Sequence, residues 1–163
     1  MVATTYSKEE ILQLLSAIAD PEIPVVSISE IGMLRDVMIT DAGCEVILTP
    51  TYTGCPAMGI IEADIKALLH ENGIEPVTVT MVYTPAWTTD WINDAARAKM
   101  NAYGIAPPKR SSCGSVADAE KHINCPICNA ADTTLVSRYG STACKALYKC
   151  NSCKEPFEYF KCH

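Results

Sequence analysis

Cys125-Pro-Ile-Cys128 and Cys150-Asn-Ser-Cys153 are two Cys-x-x-Cys pairs, separated by 21 residues, near the end of a 163-residue chain. Two such turns spaced by roughly 15–20 residues are a recognised structural-zinc arrangement, and the gap here is slightly longer. Each turn lets two thiolates converge on one ion, and the hairpin between the pairs carries in the other two to complete a tetrahedron. Two disulfides or buried free thiols are the alternatives. The paired spacing favours a four-cysteine site, with zinc as its ion and iron also suited to four thiolates. Cys144 lies within the gap, and Cys162 and His163 follow the second pair. These three offer substitute ligands but are expected to stay outside the native set.

A second candidate is Thr51-Tyr-Thr-Gly-Cys55-Pro56. Proline suits the first turn of a helix, where its missing N–H would be unpaired in any case. Cys55 then falls at the N-cap, where free N–H groups and the helix dipole favour negative charge. A thiolate there is expected to have a lowered pKa and to be both nucleophilic and able to bind metal. The alternative is a small buried hydrophobe, which is how Cys44, inside a predicted strand, is read. In Asp20-Pro-Glu22-Ile-Pro24 two carboxylates share a stiff loop that can ligate metal, although a turn with a cap is the plainer reading. Trp87 and Trp91 bracket Thr88-Thr89-Asp90 as a partner-binding ledge or as core. His70 falls late in a predicted helix, where the dipole alone explains it.

The elements that position these residues read as helix, two strands, helix, strand, helix. Ser7 with Glu10 makes a capping box before Ile11, Leu12, Leu14, Leu15 and Ile18, and Asp20-Pro21 is expected to stop that helix. Val37–Ile39 and Cys44–Leu48 flank the turn residues Thr40-Asp-Ala-Gly43. A helix is expected from Pro56 to about Asn72, with Gly73 as its stop. Val77–Val82 is a β-branched strand, and Asp90 is expected to cap a last helix from Trp91 to about Tyr103. The fold class is α+β: a small mixed sheet of about three strands covered by helices, followed by a C-terminal zinc ribbon.

Charge marks the organisation. The chain carries a formal −6, with 7 Lys/Arg against 16 Asp/Glu in residues 1–120 and 6 against 3 in residues 121–163. Between the two, Ile105-Ala-Pro-Pro-Lys-Arg-Ser-Ser-Cys-Gly-Ser115 has linker composition. The expected domains are residues 1–104, a linker over 105–120, and a ribbon over 121–163. A polar, acidic start and the lack of a long apolar run lead to the expectation of a cytoplasmic protein without a membrane partner. Nine cysteines in a reducing compartment point to metal and thiol chemistry rather than to disulfides.

Asp20-Pro-Glu-Ile-Pro24, Thr51-Tyr-Thr-Gly-Cys-Pro56 and Pro85-Ala-Trp-Thr-Thr-Asp-Trp91 together resemble the bacterial branch of the cytosolic iron–sulfur-assembly domain family. With Gly104-Ile-Ala-Pro-Pro108, the ribbon and Gly140-Ser-Thr-Ala-Cys-Lys-Ala-Leu-Tyr-Lys-Cys150, the pattern is similar to the PaaD family of phenylacetyl-coenzyme A epoxidase systems. The resemblance covers nearly the whole chain. It implies an accessory role in aerobic phenylacetate breakdown, in which iron–sulfur clusters are matured or delivered. Cys55 would then be a transient cluster ligand, with Asp20 and Glu22 as neighbours. The implied partner is the iron–sulfur and flavin reductase subunit, ahead of the di-iron oxygenase subunits, and a homodimer is left open. The chain lacks the Glu-x-x-His pairs of a di-iron bundle and a Gly-x-Gly-x-x-Gly loop, which agrees with an accessory role.

Two other classes compete with that reading. A thiol-dependent enzyme with Cys55 as nucleophile needs a general base, and the sequence places none of His70, His122 and His163 beside it. A nucleic-acid-binding ribbon draws on the basic tail, but a pI near 5.0 opposes it.

Overall fold

The computed structural model describes residues 6–109 and 123–161. At its start the Ser7 Oγ accepts the Glu10 N–H while a Glu10 carboxylate oxygen accepts the Ser7 N–H, closing the expected capping box. Helix α1 (Lys8–Leu15) buries Ile11 and Leu15 and ends before the expected stop at Asp20. The chain then forms an unanticipated pair of antiparallel strands, β1 (Ala19–Asp20) and β2 (Ile23–Ser27). Prolines at 21 and 24 mask this hairpin in the sequence. It is held by Asp20 Oδ1, which accepts the N–H groups of Glu22 at 2.8 Å and Ile23 at 2.9 Å, as Asx turns do.

Strands β3 (Leu34–Thr40) and β4 (Gly43–Leu48) pair antiparallel, and β5 (Val77–Met81) runs parallel to β4, giving the sheet order β3-β4-β5. The connection from β4 to β5 is helix α2 (Ala57–Glu71), as a parallel crossover requires. Buried Cys44, Val46 and Leu48 alternate along β4, and Ala57, Ile61, Ile65 and Leu69 recur every fourth residue on α2. These two periodicities bury one stripe of helix against one face of sheet. Gly43 sits at φ 128°, and a Cβ there would lie 2.3 Å from the Pro76 carbonyl oxygen, so only glycine fits the turn.

The chain divides into two compact units, one ending at Trp87 and the other beginning at Thr88. The last helix of the expected first domain therefore groups with the ribbon. In this second unit a 3-10 turn (Thr89–Trp91) precedes α3 (Asp94–Tyr103). Asn93, rather than Asp90, caps α3, with its Oδ1 accepting the Ala96 N–H at 2.7 Å. Gly104, at φ 96°, ends the helix.

The chain then enters β6 (Ile105–Ala106), two residues that composition assigns to the linker. They pair in parallel with β9 (Pro156–Phe160), in a sheet completed by β8 (Lys145–Cys150) and β7 (Thr133–Ser137) in the order β6-β9-β8-β7. Arg97 on α3 donates to the carbonyls of Thr89, Ile92 and Pro108. Tyr148 packs between Phe157 and Tyr159, with centroids at 5.9 and 5.8 Å, in an apolar cluster that includes Cys125 and Cys150. The remaining expected linker over 110–120, together with His122, Cys162 and His163, lies outside the described residues.

Candidate metal centre and thiol site

The two Cys-x-x-Cys turns are built alike. Asn129 and Lys154, each directly after the second cysteine of its pair, adopt left-handed φ values of 59° and 69°. That reversal folds each turn back beneath its thiols. The Asn129 N–H donates to the Cys125 carbonyl at 2.8 Å, the Cys125 N–H to the Ala130 carbonyl at 2.9 Å, and the Cys150 N–H to the Glu155 carbonyl at 3.0 Å. The strands on either side bring the turns together, since Thr133 of β7 pairs with Cys150 of β8.

The sulfurs of Cys125, Cys128, Cys150 and Cys153 all lie within 4.8 Å of one another. Cys125 Sγ is 3.8 Å from Cys153 Sγ, and Cys128 Sγ is 3.5 Å from Cys150 Sγ. A tetrahedral ion with bonds of about 2.3 Å requires sulfurs about 3.8 Å apart, so the donor set fits a thiolate-bound metal. Cys144 is buried outside this set, with its Sγ 3.0 Å from Thr142 Oγ1.

Ionisation within the set is strongly interdependent. The Cys153 N–H, 3.4 Å from Cys150 Sγ, is the main cause holding the Cys150 thiol down at about 6. Cys153 receives the Glu155 N–H, yet burial and the thiols of Cys150, Cys128 and Cys125 push it up to about 12. The first thiolate to form opposes the next. A divalent cation held by these four sulfurs would remove that opposition and favour the thiolate form of each.

Cys55 is 7% exposed and lies in the connection from β4 to α2. The turn ahead of it uses Gly54 at φ 83°, and the Cys55 N–H donates to the Tyr52 carbonyl at 3.3 Å. The N-cap of α2 is Pro56, one residue later than expected, so Cys55 precedes the cap and packs its side chain inward. Its thiol is not acidified. Burial pushes it above the ordinary thiol range, the Ala57 N–H opposes that, and the carboxylates of Glu22 and Asp20 add to the rise. The helix end does reach the sulfur, as the sequence suggests, but desolvation and two nearby negative charges outweigh it. The structure thus brings Cys55, Asp20 and Glu22 into one electrostatic neighbourhood. A cation attracted by the carboxylates would displace the thiol proton and gain a sulfur ligand.

Thr49, in the same connection, escapes sequence reasoning. Its hydroxyl is buried without a hydrogen-bond partner, and an isolated threonine after a strand gives no signal of that. Trp87 is not a ledge residue: it is 4% exposed, and its Nε1–H donates to the Ile31 carbonyl at 3.0 Å. Trp91 is half-buried in the 3-10 turn. His70 is exposed and pairs through Nδ1 with Glu75 near the end of α2. Cys44 is core, as expected.

Comparison with known proteins divides the chain in a similar way. Residues 8–83 match the family described as iron-sulfur cluster assembly protein, and residues 109–161 match the PaaD zinc beta ribbon domain. A protein of Escherichia coli (strain K12), named as the D component of 1,2-phenylacetyl-CoA epoxidase, is 49% identical over 153 residues, spanning 94% of this chain and 92% of its own. The Fe-S protein maturation auxiliary factor YitW of Bacillus subtilis (strain 168) is 33% identical over 92 residues, covering 55% of this chain and 89% of its own. Among solved structures, a DUF59 domain of unknown function from Bacillus anthracis superimposes with a TM-score of 0.53 at 27% identity. It covers 57% of this chain and 90% of its own.

Proposed function

The chain belongs to the PaaD family of phenylacetyl-CoA epoxidase systems, and from that membership we propose that it is an accessory maturation factor for the epoxidase of phenylacetate breakdown. In this reading it helps to place an iron–sulfur cluster in the reductase subunit, and the di-iron oxygenase subunits are secondary partners. The cluster is cargo. Four cysteines of the ribbon hold a resident zinc that maintains the fold of that module.

The observation that carries the reading is the convergence of Cys55, Asp20 and Glu22 in the part of the chain that matches the assembly family. Burial and the two carboxylates keep the thiol protonated at rest, which suits a transient ligand better than a standing nucleophile. A thiol in that state gives up its proton only when a metal centre arrives, so sulfur ligation and proton release are one event. Asp20 is already committed by Oδ1 to two backbone N–H groups. It fixes the loop and contributes charge, while Glu22 stands nearer to solvent to meet the incoming centre. Relatives bearing names of Fe-S protein maturation factors support the role, and the cytoplasm is the compartment that suits free thiols.

Co-production of the reductase with Cys55→Ser tests this proposal. The variant should fold and keep its ribbon metal, while the reductase should contain less cluster by iron analysis and visible absorbance. Full cluster loading of the reductase beside Cys55→Ser would overturn the carrier role of the thiol.

A further inference from the structure

The two edges of the first unit's sheet differ. Strand β3 has the features that discourage further pairing: a register shift between Leu34 and Asp36, charged Arg35 and Asp36, and an ion pair from Lys8 to Asp36 at 2.5 Å. Strand β5, at the opposite edge, has none of them. From Pro76 to Tyr83 the sequence is Pro-Val-Thr-Val-Thr-Met-Val-Tyr, without a charge. It runs through a unit that holds 3 Lys/Arg against 12 Asp/Glu over residues 1–87. No residue from Glu75 to Ala86 is buried, and among the described residues β5 pairs with β4 alone.

The ladder to β4 shows which backbone groups face outward. The Cys44 N–H donates to the Pro76 carbonyl at 2.9 Å and the Val82 N–H to the Leu48 carbonyl at 2.8 Å. Parallel pairing uses alternate residues, so Pro76, Thr78, Thr80 and Val82 face β4. Val77, Val79 and Met81 direct their N–H and C=O groups away from it. Their side chains share a face with Cys44, Val46 and Leu48, their partners in register, and that is the face α2 covers.

Two further features lie at opposite ends of this edge. At its start, a groove of about 620 Å³ is lined by Lys66, Ala67 and His70 of α2 and by Glu75, Pro76 and Val77. Beyond its end, Tyr83 is 56% exposed. A protruding ring at one end and a groove at the other become complementary when the strand meets a copy of itself running the opposite way.

We infer that β5 is a self-association edge: two copies of this chain pair β5 antiparallel about a two-fold axis at Val79, with Tyr83 of each seated in the other's groove. Val79 faces Val79 of the second copy, and Val77 faces Met81. Each such pair exchanges two backbone hydrogen bonds through the outward-facing groups. Glu75 stands opposite Tyr83, which brings the ring over Ala67 and Pro76 with its hydroxyl near Lys66 and His70. The contact is isologous, so it closes at two copies and joins two three-stranded sheets into one of six strands. The uncharged strip also keeps like charges off the paired strands where two acidic units meet.

Sedimentation equilibrium of the full chain up to millimolar concentration tests the pairing. The wild type should approach twice 17.7 kDa, and Val79→Pro should stay at 17.7 kDa. Proline at this position removes only an outward N–H and leaves the bonds to β4 in place. Tyr83→Ala should weaken association by about a hundredfold, because the symmetric pair loses two aromatic anchors at about tenfold each. A wild type that remains monomeric would overturn the proposal, and it is also the result expected if the edge receives a strand from a different protein. A Val79→Pro variant with native circular dichroism that still dimerises would overturn it too. Should that variant lose its native spectrum, amide exchange of the wild type decides. Exchange at Val79 that slows as concentration rises supports the pairing, and exchange independent of concentration refutes it.

Discussion

Lys145 of β8 and Glu158 of β9 form an ion pair whose cation is almost wholly buried: Nζ lies 3.0 Å from Oε2, and the lysine side chain is 4% exposed. The other oxygen of Glu158 accepts the Ser141 N–H at 2.6 Å. A Cβ on Gly140 would come within 2.6 Å of that same oxygen, so any larger residue there would have to push the Glu158 carboxylate aside. One carboxylate therefore neutralises a buried lysine and anchors the Gly140-Ser-Thr-Ala-Cys-Lys145 segment.

Removing that carboxylate should loosen the ribbon by about 3 kcal/mol, because it leaves an uncompensated buried charge. Burial raises the Glu158 pKa, but the Ser141 and Lys145 hydrogen bonds outweigh it and hold the group below the ordinary carboxylate range. Its contribution is thus fully present above that range and fades as pH falls through the folded value. Thermal melts should show Glu158→Gln well below wild type at neutral pH, with the gap closing in acid. A gap that stayed constant down to acid pH would contradict this linkage.

Cys128→Ser leaves three thiols of a four-cornered site. Metal content per chain, measured on protein purified without oxygen, should drop well below one equivalent, and proteolysis should cut within the strands β7 to β9. Structural zinc supplies about 10–16 kcal/mol to small modules of this kind. Retention of a full equivalent would mean that the ligand set is wrong.

Alkylation of Cys55 can be followed by peptide mass spectrometry as a function of pH. Its reaction should reach half-rate above the ordinary thiol range, since burial and the carboxylates of Glu22 and Asp20 oppose the thiolate. Glu22→Gln should shift the profile to lower pH by removing one opposing charge. A profile centred below the ordinary range would restore the acidified thiolate that the sequence suggests.

Trp87→Ala should behave as a core mutation. The side chain is 4% exposed and hydrogen-bonded to Ile31, so truncation should destabilise the first unit by about 3–5 kcal/mol. A large fall in melting temperature is the expected result; an unchanged melt would return Trp87 to the surface.

The ribbon thiols and the central sheet are legible because each rests on a local rule: Cys-x-x-Cys spacing, and alternating apolar residues around Thr40-Asp-Ala-Gly43. Three features are not. The β1–β2 hairpin sits in a proline-bracketed stretch whose pairing depends on an Asp20 carboxylate that sequence alone cannot aim. The Ile105–Ala106 strand is too short to show a period and is defined only by its pairing with Glu158 and Tyr159. At Cys55 the neighbouring proline and glycine can be read directly. The sign of the pKa shift instead depends on burial and on carboxylates more than thirty residues away in the chain.

Strand β6 follows α3 directly through Gly104 and is zipped onto β9 of the ribbon. Any treatment that strips the ribbon's metal therefore tugs on a helix that contributes no ligand. With β9 released, β6 loses its only ladder among the described residues, and α3 loses the strand that tethers its end. Helical ellipticity becomes a gauge of metal occupancy: titrating a chelator should erode far-ultraviolet signal from α3 in step with metal loss. A fragment cut after residue 83, where the assembly-family match stops, would leave that gauge behind with the ribbon.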